Sequence, residues 1–192
     1  MELMELLKTR RTYRRFDQSH KIEDNVIEDM MESLRLASSA ANLQPLKYIF
    51  VRDENIVEKV FPLTKWAARL PKELGEPKEG EKPVMFVIVL YDEKDKSKWV
   101  DTDAGLAMSN LTLAAWNHGV GSCIIDNVKR EELYKVCDIP KNMVIQSVIG
   151  FGYPTHNSTI VDMSQGEVAY YLDENKDYFV PKRKSEDVIN VL

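Results

Sequence analysis

One domain built from both helices and strands is what this sequence predicts, and three observations predict it. The chain has 192 residues, which fits a single domain, 1–192, with a sizeable core. Apolar residues switch between helical spacing, as in Val26, Ile27, Met30, Met31, Leu34 and Ala37, and short continuous runs of strand length, as in Val84 to Leu90. Hydrophobic content of 44% and charged content of 30% are those of an ordinary globular chain.

Taken in order, Glu2 to Lys8 reads as a short helix with Leu3, Leu6 and Leu7 on one side. Asp24 is placed to cap a second helix reaching about Ser38. Small and amide side chains from Ala37 to Gln44, stopped by Pro45, make a loop. Tyr48 to Val51 reads as a strand and Asp53 to Phe61 as a helix. The segment 62–83 is charged and broken by Pro71, Pro77, Pro83, Gly75 and Gly80, so it is either a lid over a site or a mobile surface loop. Val84 to Leu90 has no polar alternation, which predicts a central strand covered on both faces. A long helix follows from Asp101 to His118, with Asp101 or Thr102 as its cap and Gly119 as its stop. It is apolar almost all round, so it belongs at the core centre or in a subunit interface. Val120 to Ile125 and Met143 to Phe151 read as strands, with a helix from Lys129 to Cys137 between them. From His156 onward the chain is polar and irregular, apart from a short strand or turn near Val168 to Leu172. Such a tail is either loose or docked on a partner.

Composition excludes several functions. A formal net charge of −5 argues against a nucleic-acid binder. No apolar run is long enough to span a membrane, and the acidic, amphipathic start does not read as a signal peptide. Cys123 and Cys137 form no metal-ligand spacing with His20, His118 or His156, so no metal is expected. Both read as reduced thiols, which suits the cytoplasm. His118, near a helix end, reads as a capping or packed residue rather than a catalytic one.

Against this acidic background, Thr9 to Phe16 concentrates Arg10, Arg11, Arg14 and Arg15. If the chain turns there, several guanidinium groups can converge on one anion, and arginine suits phosphate because its planar fork donates in pairs and stays charged. Thr12 adds a hydroxyl. A second basic run lies at Lys182 to Lys184. No Gly-rich dinucleotide fingerprint follows a strand.

Four segments occur in a telling order: Arg-Arg-Thr-Tyr-Arg-Arg-Phe at 10–16, Ser-Ser-Ala-Ala-Asn-Leu-Gln-Pro at 38–45, the apolar helix leading to His-Gly-Val-Gly-Ser-Cys at 118–123, and Gly-Phe-Gly-Tyr-Pro at 150–154. With the basic tail, the chain resembles the nitroreductase family of FMN-dependent oxidoreductases over nearly its whole length. The resemblance implies an α+β fold with a mainly antiparallel central sheet flanked by helices. It also implies an intertwined homodimer in which the tail, 173–192, wraps the partner subunit and adds a strand to its sheet.

The same resemblance carries roles to residues. Arg10 and Thr12 match positions that bind the flavin phosphate, with Arg11 beside them. Arg14 matches a cation at the pyrimidine edge of the ring, where reduction builds negative charge. Ser38, Ser39 and Asn42 match a loop supplied by the second subunit, braced by Gln44. Ile125 and Asp126 match the segment behind the flavin's N5, and Arg183 and Lys184 match tail cations that close on the phosphate. Asp126-Asn127, Leu46 after Pro45, and the short connection from Tyr91 to Val100 depart from many relatives. The implied activity is ping-pong hydride transfer from NAD(P)H through FMN to a small-molecule electron acceptor such as a nitroaromatic or quinone, with no catalytic side chain. Trp66 and Arg69 are expected to shape acceptor choice. The alternative is a flavin-sequestering protein with little reductase activity.

Overall fold

The computed structural model describes residues 2–164 and 166–192. In chain order its elements are α1 (Leu3–Thr9), α2 (Asp24–Arg35), β1 (Leu46–Val51), α3 (Glu54–Val60), α4 (Lys72–Gly75), β2 (Met85–Asp92), α5 (Val100–Asn117), β3 (Gly121–Ile125), α6 (Arg130–Val136), β4 (Met143–Gly152), β5 (Ser158–Asp162), β6 (Tyr171–Leu172) and β7 (Tyr178–Lys182). Among the described residues β1, β2, β4 and β3 form an antiparallel sheet in the order β1-β2-β4-β3. This is the α+β architecture expected.

The apolar run of β2 is central because both of its faces are covered. Phe86, Ile88 and Leu90 join a cluster with Val57 and Val60 of α3, Leu133 of α6 and Ile125 of β3. Met85, Val87 and Val89 join the opposite cluster with Val26, Ile27, Met30 and Leu34 of α2 and Ala107, Leu111 and Ala115 of α5. Strand alternation thus divides one sequence run between two cores. The register of β4 against β2 slips between Val89 and Leu90, leaving Gln146 as the extra residue. The bulge lets Ile145 and Val148, three apart, face the same core.

Several ends differ from expectation. Asp24 lies inside the first turn of α2; Glu23 precedes it and makes no side-chain cap. Trp99, not Asp101 or Thr102, precedes α5, and Asp101 and Asp103 lie within its first turn, near the helix's positive end. Asp53 does cap α3, accepting from the amides of Asn55 and Ile56 at 2.9 and 3.2 Å. Gly119 stops α5 with φ +76°, a conformation open to glycine.

Two regions read as irregular are ordered by long-range contacts. The front of 62–83 is core: Trp66 is buried against Phe16 and Phe61, and its indole donates to Thr64 Oγ1 at 2.9 Å. Trp66 therefore has a packing role in the core. The tail forms a second sheet, in which β7 pairs parallel with β5 and antiparallel with β6. Residues 178–182 thus pair within their own chain, and the part beyond β7, ending in exposed Val188, Ile189, Val191 and Leu192, is what stands free of the sheets. Tyr178 is fully buried, which is why the strand docks: its ring fills space that the polar composition of the tail does not advertise.

One side of α5 is buried by alanines and Leu111, while Leu106 on another side is 46% exposed. No described helix is long and apolar enough to cross a membrane.

Candidate functional site

The arginine stretch is extended rather than helical: α1 ends at Thr9, and Arg10 has φ −66° and ψ 106°. It lies along the sheet. Thr12 bridges Ser122 of β3, the Tyr13 amide donates to the Ser122 carbonyl at 2.9 Å, and Phe16 bridges Pro154. Tyr13 and Phe16 point inward. Tyr13 stacks on Trp116 of α5 with ring centroids 4.9 Å apart, and Phe16 is fully buried. Two glycines make room. A Cβ on Gly121 would stand 2.6 Å from Pro154 and 2.9 Å from the Tyr13 ring, and one on Gly152 would stand 2.8 Å from Phe16 Cβ. Here is the physical content of the Gly-Val-Gly and Gly-Phe-Gly segments: they are the seat of the arginines.

With the aromatic residues turned in, the cations gather. Arg10, Arg11, Thr12 and Arg14 line a recess of about 210 Å³ with Tyr170, Val180 and Lys182. The Nε groups of Arg10, Arg11 and Arg14 are buried without a hydrogen-bond partner. Among the described residues, no carboxylate lies within ion-pairing distance of these three. Burial, reinforced by the neighbouring charge of Arg10, pushes the Arg11 pKa down. Crowded cations with unspent donors are the arrangement that a bound phosphate completes. The donor set therefore fits the phosphate of FMN. The Arg14 guanidinium lies over the rings of Tyr170 and Tyr178, 4.4 and 5.0 Å from their centroids. Arg15 turns inward instead, donating to the Lys176 carbonyl at 2.5 Å.

The other candidates fall elsewhere. Ser38 and Ser39 line a separate recess with Gln44 and Pro45. Ser39 Oγ accepts from the Gln44 amide at 3.0 Å, and the Gln44 side chain donates to Asn42 Oδ1 at 3.1 Å, which is the bracing role expected of it. The loop passes through positive φ at Ala41, Asn42 and Gln44, and buried Asp103 of α5 accepts from the Ala40 amide at 2.8 Å. Ile125 is buried at the end of β3, and the exposed Asp126 carboxylate pairs with Arg130 at 2.5 Å. Arg183 and Lys184 are exposed; Lys184 stands 3.9 Å from Glu186, and Lys182 is the tail cation that lines the arginine recess.

Sequence reasoning missed Tyr170 and His156, and within the basic run it chose Arg183 and Lys184 rather than Lys182. Lys182 was hidden by register, since three basic residues run together. Tyr170 and His156 carry no local signal. Cys123 is buried and its pKa is pushed up to about 11, so it remains a thiol beside the site and not a nucleophile. His118 pairs with Asp29 at 2.8 Å, a packed role.

The nitroreductase family model matches residues 7–153. An Archaeoglobus fulgidus protein named "Putative NADH dehydrogenase/NAD(P)H nitroreductase" is 32% identical over 163 residues, covering 80% of this chain and 86% of that protein. A Thermotoga neapolitana protein named iodotyrosine deiodinase is 28% identical over 170 residues, covering 79% of this chain and 88% of that protein. Among solved structures, an FMN-dependent nitroreductase from Clostridium difficile shares the fold with a TM-score of 0.66 at 20% identity, over 82% of this chain and 90% of that one. A nitroreductase family protein from Clostridium novyi does so with a TM-score of 0.69 at 19% identity, over 81% of this chain and 86% of that one.

Proposed function

The chain belongs to the nitroreductase family of oxidoreductases, and from that premise we propose that it is an FMN-dependent NAD(P)H oxidoreductase. The observation that carries the proposal is the recess where Arg10, Arg11 and Arg14 keep buried, unpaired Nε donors and have no counter-ion among the described residues. Arg10, Arg11 and Thr12 would take the phosphate, with Lys182 closing from the tail. Arg14, lying over the rings of Tyr170 and Tyr178, would present its donors to the pyrimidine side of the ring. When bound, FMN supplies the redox chemistry, accepting hydride from NAD(P)H and delivering it, in a ping-pong cycle, to an acceptor such as a nitroaromatic or quinone. The side chains of this chain hold and polarise; none is assigned as nucleophile or general base.

We also propose a homodimer. The Ser38 to Gln44 loop lines a recess of its own, and the exposed Leu106 side of α5 together with the apolar end of the tail would be covered by a second copy. That copy would bring its loop to the arginine recess.

A second reading, a flavin-holding protein with little turnover, is favoured by Tyr170, which lines the recess: Arg14 lies over its ring, and its hydroxyl accepts from the Arg69 amide at 3.4 Å, tying the 62–83 segment to the recess wall. One experiment separates the two. The purified protein, loaded with FMN, is mixed with NADH or NADPH without oxygen. Bleaching of the flavin bands supports the reductase; bound flavin that neither donor reduces supports the holding protein. Failure of the protein to take up FMN overturns both. Arg10→Ala should weaken FMN binding roughly tenfold or more, as expected for one charge-assisted contact.

A further inference from the structure

His156 belongs to none of the segments that suggested the family, yet it touches the arginine stretch directly. The imidazole is buried, with the rings of Tyr13 and Tyr178 at 5.4 and 4.8 Å between centroids. Its Nε2 accepts the backbone N–H of Arg14 at 3.0 Å. That contact assigns the tautomer: Nδ1 carries the proton and donates to the Asn157 carbonyl at 2.9 Å. The same carbonyl receives the Tyr178 amide at 2.9 Å. Asn157 in turn donates from its backbone and its side chain to the Asp177 carboxylate, at 2.7 and 2.8 Å. One line of hydrogen bonds therefore runs from the backbone of Arg14, through the imidazole, to the first residue of β7.

We propose that His156 is a positioning residue that sets Arg14 and the start of β7 against each other, and that its protonation loosens the grip of the arginine recess on an anion. The second half rests on reading that recess as the flavin phosphate site. Only the neutral ring can make this contact, because a protonated Nε2 would aim one N–H at another. The groups facing the ring are the cations Arg14 and Arg15 from the arginine stretch, the carboxylate of Asp177 from the tail, and the phenols of Tyr13 and Tyr178. Burial pushes the His156 pKa down to about 4, Arg15 and Arg14 press in the same direction, and the Asn157 carbonyl and Asp177 oppose them. A proton forced onto the ring would join two cations and break the bond that orients Arg14.

The test compares wild type with His156→Gln, whose side-chain oxygen can still accept from Arg14 but cannot titrate. FMN affinity is measured by quenching of flavin fluorescence at about pH 7.5 and about pH 3.5, on either side of the folded His156 pKa of about 4. FMN's own phosphate titrates in that range in both proteins, so the difference between them isolates His156. Wild type should weaken roughly fourfold more than the variant, because about three-quarters of the rings are protonated half a pH unit below a pKa of about 4. Equal pH dependence overturns the proposal. Nitrogen NMR of the flavin-free wild type gives an independent reading that needs neither flavin nor a folded variant. A neutral ring protonated at Nδ1, with protection of the Arg14 amide that falls in acid, supports the positioning role. Protonation at Nε2, or protection indifferent to pH, sinks it. If FMN binds neither protein at the higher pH, the flavin reading fails, and the NMR result alone decides the role of His156.

Discussion

The arginine stretch at 10–16 and the loop at 38–44 are both proposed to hold flavin, yet they are fixed in opposite ways. The stretch is extended, bonded to β3 through Tyr13 and to the chain at Glu81 through Phe16, with two aromatic side chains sunk into the core. The loop bends through left-handed conformations at Ala41, Asn42 and Gln44, each costing an L-residue on the order of 1 kcal/mol. It is tied to the body at Ala40, by a buried carboxylate on Asp103 whose second oxygen has no partner. The difference teaches that the cations are placed by the sheet itself, in an arrangement that is already built. The polar loop is a strained shape held at its base, suited to adjusting when something is brought against it.

The contrast breaks most severely at Phe16. Phe16→Ala removes a fully buried ring that packs on Trp66 and should cost about 3–5 kcal/mol, read from the shift in urea midpoint. A loss below about 1 kcal/mol would mean that the stretch is not seated by its aromatic residues. Acid should come next. The folded His156 titrates near 4 against an ordinary 6.5, so between those values the unfolded chain binds the extra proton. Its contribution is complete above pH 6.5 and is lost as pH falls toward 4, by on the order of 3 kcal/mol in full. Unfolding midpoints across that window should therefore fall less steeply in His156→Gln than in wild type; parallel curves would remove His156 from the account.

Gly121→Ala should cost about 1–3 kcal/mol, because the new methyl meets Pro154 and Tyr13, both of them rigid. It should also weaken FMN binding, and a variant that binds FMN normally would separate the seat from the site. The smallest effect is expected in the loop. Ala41→Gly relieves a φ of +50° while adding freedom to the unfolded chain, so stability should hold or rise by less than about 1 kcal/mol. A clear loss of melting temperature would show that the loop is not strained there.

Much of this was legible in advance where the signal is local. The buried strand at 85–92 announced itself by the unbroken apolar run from Val84 to Leu90, and Gly119 marked the end of α5. The arginines of the recess stood out by charge alone. Trp66 did not: its segment is rich in proline and charge, and only the Phe16 and Phe61 rings, supplied from elsewhere, make it core. Nor did the second sheet, whose strands β5 and β7 are short, polar at their ends and separated by the turn that carries β6.

By itself, then, the amino-acid order determined the helices and strands with strong periodicity, the family resemblance and the identity of the cations. These depend on neighbours within a turn or two and on charge that no fold can remove. Tertiary structure alone decided which glycines the arginines rest on, which tail cation reaches the recess, and that His156 grips Arg14. That last contact spans 142 positions of sequence, and its existence depends on sheet register and on the docking of Tyr178, neither of which any local pattern encodes.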